Sequence, residues 1–243
     1  MRASLRVDSS TAVKYAGWMP VSQLPRPSLP SAEAEAARYA LLRRLAPSMR
    51  HHLVVNLQPI GMIYEVMERR LRAPQPDLAH VHDSAQKING FARAALASCL
   101  DVVGWLAPDD AVSTTLQEGM RECTSLLATS LSFRGYALRN QVTALPGELR
   151  RATLRSLVTG ALLHTTDHLH PPADLVITAE AETGGVLVSI AVVATEGDKG
   201  FAAEPGYRKL EWRDLEALAA ADGAELAREG SCLSLRLPWL AGG

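Results

Sequence analysis

Two adjacent histidines in an apolar, helical stretch are the residues of this 243-residue sequence best placed to carry chemistry. His51 and His52 lie between Met49 and Leu53, which belong to an apolar repeat with helical spacing. Because helical residues are about 100° apart, the stripe between Met49 and Leu53 is centred about 20° from Met49. His51 then lies about 180° from that centre and His52 about 80° from it. The spacing predicts an outward-facing His51, whose neutral imidazole can act as a nucleophile near pH 7.

A long helical hairpin is predicted around these histidines. Ser31 can cap a helix from Ala32 to Arg72, and a break at 73–77 precedes a second helix from Leu78 to about Leu106. Apolar residues recur along the first helix in steps of three and four, at Leu41, Leu45, Met49, Leu53, Leu57, Ile60, Tyr64, Met67 and Leu71. Because one partner helix cannot cover so long a stripe, we expect two copies of the hairpin to form a dimeric four-helix bundle.

The second half of the sequence predicts helices packed on a mixed sheet, an α+β sandwich. The helices are expected at about 112–133, 148–168 and 214–221, and the strands at about 136–142, 175–181, 186–193, 226–228 and 232–237. The chain is therefore divided into a Pro-rich N-terminal arm at 1–33, the hairpin at 34–107 and the α+β domain at 111–240.

Composition narrows the class of protein. The formal net charge is −1, which argues against a broadly basic surface for nucleic acid. The three cysteines, at 99, 123 and 232, are far apart and favour neither a disulfide framework nor a cysteine-based zinc site. No apolar run approaches the length of a membrane span. We expect a cytoplasmic protein with no nucleic-acid or membrane partner.

The order of elements over residues 34–240 resembles the dimerisation and ATP-binding halves of bacterial sensor histidine kinases. The run Arg50–Ile60, RHHLVVNLQPI, resembles that family's phosphoacceptor pattern of His, an acid, four variable residues, Leu-Gln, one variable residue and Ile. The resemblance implies that His51 is the phosphoacceptor, with His52 as a fallback or orienting residue. His52 itself occupies the position of the acid that helps a kinase to activate its histidine.

The first nucleotide-binding motif of that family is degraded here. The run 154–165 resembles the family's magnesium-binding helix, but the family's Asn falls on Gly160 and its Lys on Leu163. An oxygen ligand for Mg²⁺ and a cation for phosphate are therefore both missing. The flanking features Ala161 and His164-Thr165 persist.

The later nucleotide motifs are degraded as well. The family's adenine-reading Asp falls on Thr195 and its last Gly on Lys199; a shifted alignment makes Glu196 the acid but puts Asp198 on a glycine. The glycine-rich lid is replaced by residues 206–213, GYRKLEWR, whose bulky side chains would obstruct a phosphate. We therefore expect no bound nucleotide and no cofactor, with Mg²⁺ supplied by the partner.

The leading hypothesis is a homodimeric histidine phosphotransferase that relays phosphoryl groups between response-regulator receiver domains. The alternatives are a non-enzymatic pseudokinase that binds or sequesters a regulator and a divergent ATP-dependent kinase. Six arginines of the first helix are interpreted as a solvated surface that could also attract an acidic receiver: Arg43, Arg44, Arg50, Arg69, Arg70 and Arg72.

Other histidines allow weaker interpretations. His164, His168 and His170 with Asp167 have spacing compatible with a metal site, and His80 and His82 form a second pair. The metal interpretation is the less favoured one, because His164 has a place in the helix that resembles the kinase family and Pro171-Pro172 indicates that the others lie at a helix end, where histidine complements the helix dipole. His82-Asp83 also imitates an acceptor followed by an acid, and it is kept as an alternative carrier.

Overall fold

A computed structural model describes residues 31–197, 200–201 and 206–240. The predicted arm at 1–33 falls almost wholly outside these residues. Five helices are present: α1 Ala32–Leu71, α2 Leu78–Leu106, α3 Leu116–Phe133, α4 Arg151–His168 and α5 Trp212–Asp222. The Ser31 hydroxyl accepts a hydrogen bond from Ala34 N at 3.1 Å, which confirms the predicted start of α1.

The strands confirm a mixed sheet. They are β1 Ser113–Thr115, β2 Tyr136–Asn140, β3 Glu148–Arg150, β4 Ala173–Glu182, β5 Gly185–Ala194, β6 Glu225–Glu229 and β7 Cys232–Pro238. The main sheet has the order β2-β4-β5-β7-β6, in which β2 runs parallel to β4 and the other neighbours are antiparallel. Strands β1 and β3 form a separate antiparallel pair.

Two predicted helix starts are wrong. The helix expected from about 112 begins at Leu116, and the helix expected from about 148 begins at Arg151. In both places the preceding residues form a strand instead, because β1 and β3 pair with each other over residues that are far apart in the sequence, such as Thr114 and Leu149, which are 35 positions apart. Long-range pairing of this kind overrides local helical spacing.

One hydrophobic core joins the hairpin to the α+β part. Leu41, Leu45 and Met49 of α1 are buried in the same cluster as Met120 of α3 and Leu157 of α4. The prediction that the whole α1 stripe serves a helical bundle is therefore wrong for its first part. That part covers α3, α4 and α5 of the same chain.

The rest of the hairpin leaves large apolar side chains on its surface. Leu57 and Tyr64 of α1 are about half exposed, and Leu78, Leu100 and Val103 of α2 are more exposed still. Pro47 and Pro59 lie inside α1. No helix of the described residues is long and apolar enough to cross a bilayer.

Candidate functional site

His51 lies on the outer surface of α1, half a turn beyond Met49, a residue of the shared core that is 5% exposed. The His51 imidazole is exposed and has no hydrogen-bond partner among the described residues, whereas His52 is half-buried. Their ring centroids are 6.3 Å apart. This arrangement agrees with the orientation that the helical spacing predicts. The chemical role of either histidine stays a prediction.

The helix turn after His52 is fixed to α2. The side-chain amide of Asn56 donates hydrogen bonds to the His52 carbonyl at 3.0 Å and to the Ser98 hydroxyl at 3.1 Å. These contacts hold the two helices of the hairpin in one register at the level of the histidines. Neither hydrogen bond involves the imidazole of His51 or of His52.

A buried ion pair anchors α1 to the end of α4. Arg44 donates from both terminal nitrogens to the carboxylate of Asp167, at 2.5 and 2.7 Å, and the two side chains are 5% and 0% exposed. Arg134 lies 3.5 Å from the same carboxylate, which also accepts a hydrogen bond from Leu210 N at 3.1 Å. The interpretation of Arg44 as a solvated cation is wrong, because Leu41 and Leu45 carry it into the core on the same helical face.

A second ion network joins α2 to α3 and α4. The buried guanidinium of Arg155 contacts Asp101 of α2 and Glu122 of α3, and its centre lies 4.6 Å from the Trp105 ring centroid. Arg151 adds a hydrogen bond to Glu122 at 3.0 Å. Burial acts to raise the pKa of Glu122, but the hydrogen bonds from Arg155 and Arg151 outweigh it and lower that pKa. Glu122 therefore stays ionised at neutral pH.

Gly160, on which the resemblance places the family's magnesium-binding Asn, is packed against neighbouring side chains. Gly160 of α4 is buried against α5, and a Cβ atom at this position would lie 3.0 Å from Leu215 Cδ2 and 3.7 Å from Leu218 Cδ1. Leu215 and Leu218 are both 0% exposed. A side chain at position 160 would require Leu215 to shift, so α4 and α5 are packed closely where an oxygen ligand would need a cavity.

The other positions that the resemblance assigns to nucleotide binding are buried, exposed or outside the described residues. Leu163 is buried and apolar, and Thr195 is exposed after β5. Asp198 and Lys199 lie outside the described residues. In the segment that replaces the lid, Leu210 is fully buried and the Arg208 guanidinium pairs with Asp214 of α5 at 2.6 Å. This segment serves the packing of α5.

The histidines near the end of α4 contribute to packing. His164 Nδ1 and His168 Nε2 both donate to the Leu210 carbonyl, at 2.8 and 3.0 Å, and Asp167 is taken by Arg44. Desolvation lowers the pKa of His164, although its hydrogen bond to Leu210 opposes that shift. Within the described ranges, no three His, Cys, Asp or Glu residues are grouped to hold a metal ion. His82 and Asp83 bind Gln86 and Lys87 of their own helix.

No protein-family model matches the sequence, and no curated protein matches it either. Among solved structures, a histidine kinase from Burkholderia phymatum STM815 is similar at 15% identity, over 87% of this chain and 100% of that chain, with a TM-score of 0.42. The Acinetobacter baumannii histidine kinase AdeS is similar at 12% identity, over 74% and 97% of the two chains, with a TM-score of 0.39. A structure described as a bacterial phosphotransferase is similar at 12% identity, over 86% of this chain and 98% of that chain, with a TM-score of 0.39.

Sequence reasoning missed the two ion networks. Arg155 and Asp101 give no signal by motif or spacing, because their partners lie at least 33 residues away in the sequence. The only available hint was the place of Arg44 between two residues of an apolar stripe.

Proposed function

We propose that this protein is a cytoplasmic, homodimeric histidine phosphotransfer protein that carries a phosphoryl group on His51 between receiver domains. The observation that carries the proposal is the exposed imidazole of His51, which has no partner within residues 31–197, 200–201 and 206–240, on a helix whose base is fixed by core packing. A carrier needs an accessible ring nitrogen and a stable surface on which a partner can dock, and it needs no nucleotide site.

The proposed transfer uses the imidazole as the nucleophile. A ring nitrogen of His51 attacks the phosphorus of an aspartyl phosphate in line, so that a P–N bond forms while the P–O bond to the aspartate breaks. The receiver's carboxylate leaves with the electron pair, and the reverse attack by a second receiver's aspartate regenerates His51. Mg²⁺ on the receiver would neutralise charge on the transferred group. This chain presents and orients the imidazole.

The apolar surface of the hairpin supports the homodimer. Exposed apolar side chains lie on both helices beyond the shared core: Val54, Val55, Leu57, Met62, Tyr64, Val66, Leu71, Leu78, Leu96, Leu100, Val103 and Leu106. An apolar surface of this extent on a helical hairpin is typical of an interface. A second copy that packs on the side of Leu57 and Tyr64 would form a four-helix bundle and leave free the opposite face, which carries His51 with the exposed Val55 and Met62.

The decisive experiment is incubation of the protein with phosphorylated receiver domains from two-component systems, followed by detection of acid-labile, base-stable phosphate on the protein. We expect label to reach the wild-type chain without ATP. A panel of cognate receivers from which no label moves would contradict the proposal.

A silent scaffold is the second candidate, and one observation favours it. His52 stands where the resemblance implies an acid, so the imidazole of His51 lacks a carboxylate neighbour at that position. Such a scaffold would bind a regulator through the same helices without transfer. Receiver binding that is measurable by calorimetry, with no phosphohistidine formed, would favour this alternative.

A further inference from the structure

A cavity of about 400 Å³ lies between the C-terminal half of α4 and the end of the main sheet that holds the β6–β7 turn. Its wall includes His164 and Leu169 from the helix side and Val192, Arg228 and Leu233 from the sheet side. No acidic side chain is among the described residues that line it. The volume is within the range of about 300–1,000 Å³ that is typical of small-molecule pockets.

The strand register places the side chains from the sheet on one face. Arg228 of β6 is paired with Leu233 of β7, which is paired with Ile190 of β5. Paired residues of antiparallel strands share a face, and Val192 shares the face of Ile190 because it follows two residues later. Ile190 and Leu233 are buried in the core that the sheet forms with the helices. Arg228 and Val192 therefore point towards the helical layer.

Arg228 and His164 adjoin the same aromatic ring, that of Trp212 at the start of α5. The Arg228 guanidinium carbon lies 5.4 Å from the Trp212 ring centroid, and the His164 ring centroid lies 5.9 Å from the Trp212 ring centroid. The guanidinium from the sheet and the imidazole from the helix are therefore brought together at one cavity.

The guanidinium of Arg228 has free hydrogen-bond donors. The residue is exposed, and its side chain makes no ion pair or hydrogen bond within the described residues. Its contact with Trp212 uses the planar face of the guanidinium, whereas the N–H donors lie in that plane. A carboxylate can accept two of these donors side by side.

His164 presents a hydrogen-bond acceptor. Its Nδ1 donates to the Leu210 carbonyl at 2.8 Å, and its Nε2 makes no hydrogen bond within the described part of the chain. Burial lowers the pKa of His164, and the charges of His168 and Arg228 add to this effect, against the opposing hydrogen bond to Leu210. The ring is therefore neutral at pH 7, and with the proton on Nδ1 the free Nε2 is an acceptor.

The free nitrogen of His164 keeps contact with solvent. Among the side chains of the described residues that are not exposed, only Arg155 Nε and Asp222 Oδ2 are enclosed without a hydrogen-bond partner. His164 Nε2 is also without a partner, so it retains accessible surface. Because His164 is only 4% exposed and lines the cavity, this is the space from which a ligand reaches it.

We propose that this cavity binds a small aromatic carboxylic acid that carries a hydroxyl group. The carboxylate would accept from the Arg228 guanidinium, and the hydroxyl would donate to His164 Nε2. The aromatic ring would pack against Leu169 and Val192. The proposal is independent of the role of His51.

The charges and the size of the cavity favour this class of ligand. A cation would meet Arg228 with no acidic side chain to receive it, and an acid without a hydroxyl would leave His164 Nε2 without a donor. A rigid ring holds the two polar groups apart and loses little conformational freedom on binding. The volume corresponds to roughly thirteen water molecules at about 30 Å³ each, which is enough for one substituted ring.

The test compares matched probes on the full chain by chemical-shift changes in two-dimensional amide NMR. 3-Hydroxybenzoate and 4-hydroxybenzoate carry both polar groups, benzoate lacks the hydroxyl, and p-cresol lacks the carboxylate. We expect saturable shifts in residues 164–169 and 228–233 with at least one hydroxybenzoate. Benzoate should bind about fivefold more weakly and p-cresol at least about tenfold more weakly.

Two variants and one control test the polar groups. Arg228→Gln should weaken hydroxybenzoate binding by about tenfold or more. His164→Phe keeps a ring but removes the acceptor, so hydroxybenzoate should then bind no better than benzoate. Arg213→Gln, an exposed arginine of α5 that is not part of the cavity wall, should leave binding unchanged. Should His164→Phe disturb folding, Arg228→Gln and the benzoate comparison decide the matter.

Two results would overturn the proposal. One is the absence of saturable shifts with both hydroxybenzoates. The other is equal weakening by Arg228→Gln and Arg213→Gln, because that result would mean that the acid is attracted by surface charge and not by this cavity.

Discussion

Arg44 and Asp167 form a bidentate, buried ion pair between α1 and the end of α4, with both N–O distances below 3 Å. Breaking a buried pair leaves one charge without its partner, which typically costs about 3–5 kcal/mol. We predict that Arg44→Met lowers the free energy of unfolding by about 3 kcal/mol, measured by urea denaturation with circular dichroism.

Arg43→Met is the matched control for that prediction. Arg43 is exposed, and its guanidinium lies 5.3 Å from the Tyr207 ring centroid, a contact worth about 0.5–1 kcal/mol at an exposed site. Equal destabilisation by both variants would mean that the Arg44 pair is no stronger than a surface contact.

We predict no binding of ATP with Mg²⁺ in the micromolar range by calorimetry, because α5 occupies the space beside Gly160. Gly160→Asn should not restore binding. It should instead lower the free energy of unfolding by about 1–3 kcal/mol, since the new side chain overpacks Leu215. Gly90→Asn is the control, because nothing lies within 4 Å of a Cβ at that exposed helical position. A one-to-one ATP isotherm for the wild type would end the hypothesis of transfer without nucleotide.

Charged residues introduced into the apolar stripe of α1 test whether the hairpin forms the proposed dimer. Replacing Leu53 and Leu57 with Glu should abolish dimerisation, because two carboxylates per chain would enter the bundle core at a cost of several kcal/mol. Multi-angle light scattering should report a monomer or an aggregate. Gln58→Glu, at an exposed polar position, should leave the dimer intact. A folded dimer of the double variant would place the interface elsewhere.

We predict that His51→Gln abolishes phosphoryl uptake from a receiver while changing the free energy of unfolding by no more than about 0.5 kcal/mol, because the exposed glutamine lacks a nucleophilic ring nitrogen. His52→Gln should reduce the transfer rate without abolishing it. The opposite pattern would move the carrier to His52. Undiminished transfer by the double variant would exclude both histidines.

The pH dependence of stability should report His164. Its folded pKa lies below the unfolded value of about 6.5, so the unfolded chain takes up the proton first. Its contribution is fully present above about pH 6.5 and is lost as the pH falls towards the folded pKa. Unfolding free energies from urea titrations at pH 7 and pH 5 should differ less in His164→Asn than in the wild type.

His80→Asn is the control for the pH experiment, because the His80 side chain is 62% exposed. The pKa values of Glu122 and Asp214 are lowered in the folded protein, so the stability that each carboxylate contributes is lost only as the pH falls below its unfolded pKa of about 4. This loss occurs below the range from pH 7 to pH 5. A wild-type pH dependence that persists in His164→Asn would contradict the assignment.

The sequence predicts those elements whose pattern is local. The helical hairpin, the strands β4 and β5 and the outward position of His51 follow from spacing, because helix and strand periods are properties of short segments. The β1–β3 pair, the shared core and the two ion networks depend on residues far apart in the chain. Arg44 shows the difference, since a lone arginine in a helix gives no sign of an aspartate 123 positions later.

The two prolines inside α1 have a mechanical consequence. Proline has no amide hydrogen, so Pro47 and Pro59 leave the carbonyls of Arg43 and Val55 without their usual helical donors. His51 lies between these two missing backbone hydrogen bonds. The long helix therefore lacks a backbone hydrogen bond on each side of the candidate carrier, and side chains hold the segment between these two points instead: Met49 in the core and Asn56 on Ser98 of α2.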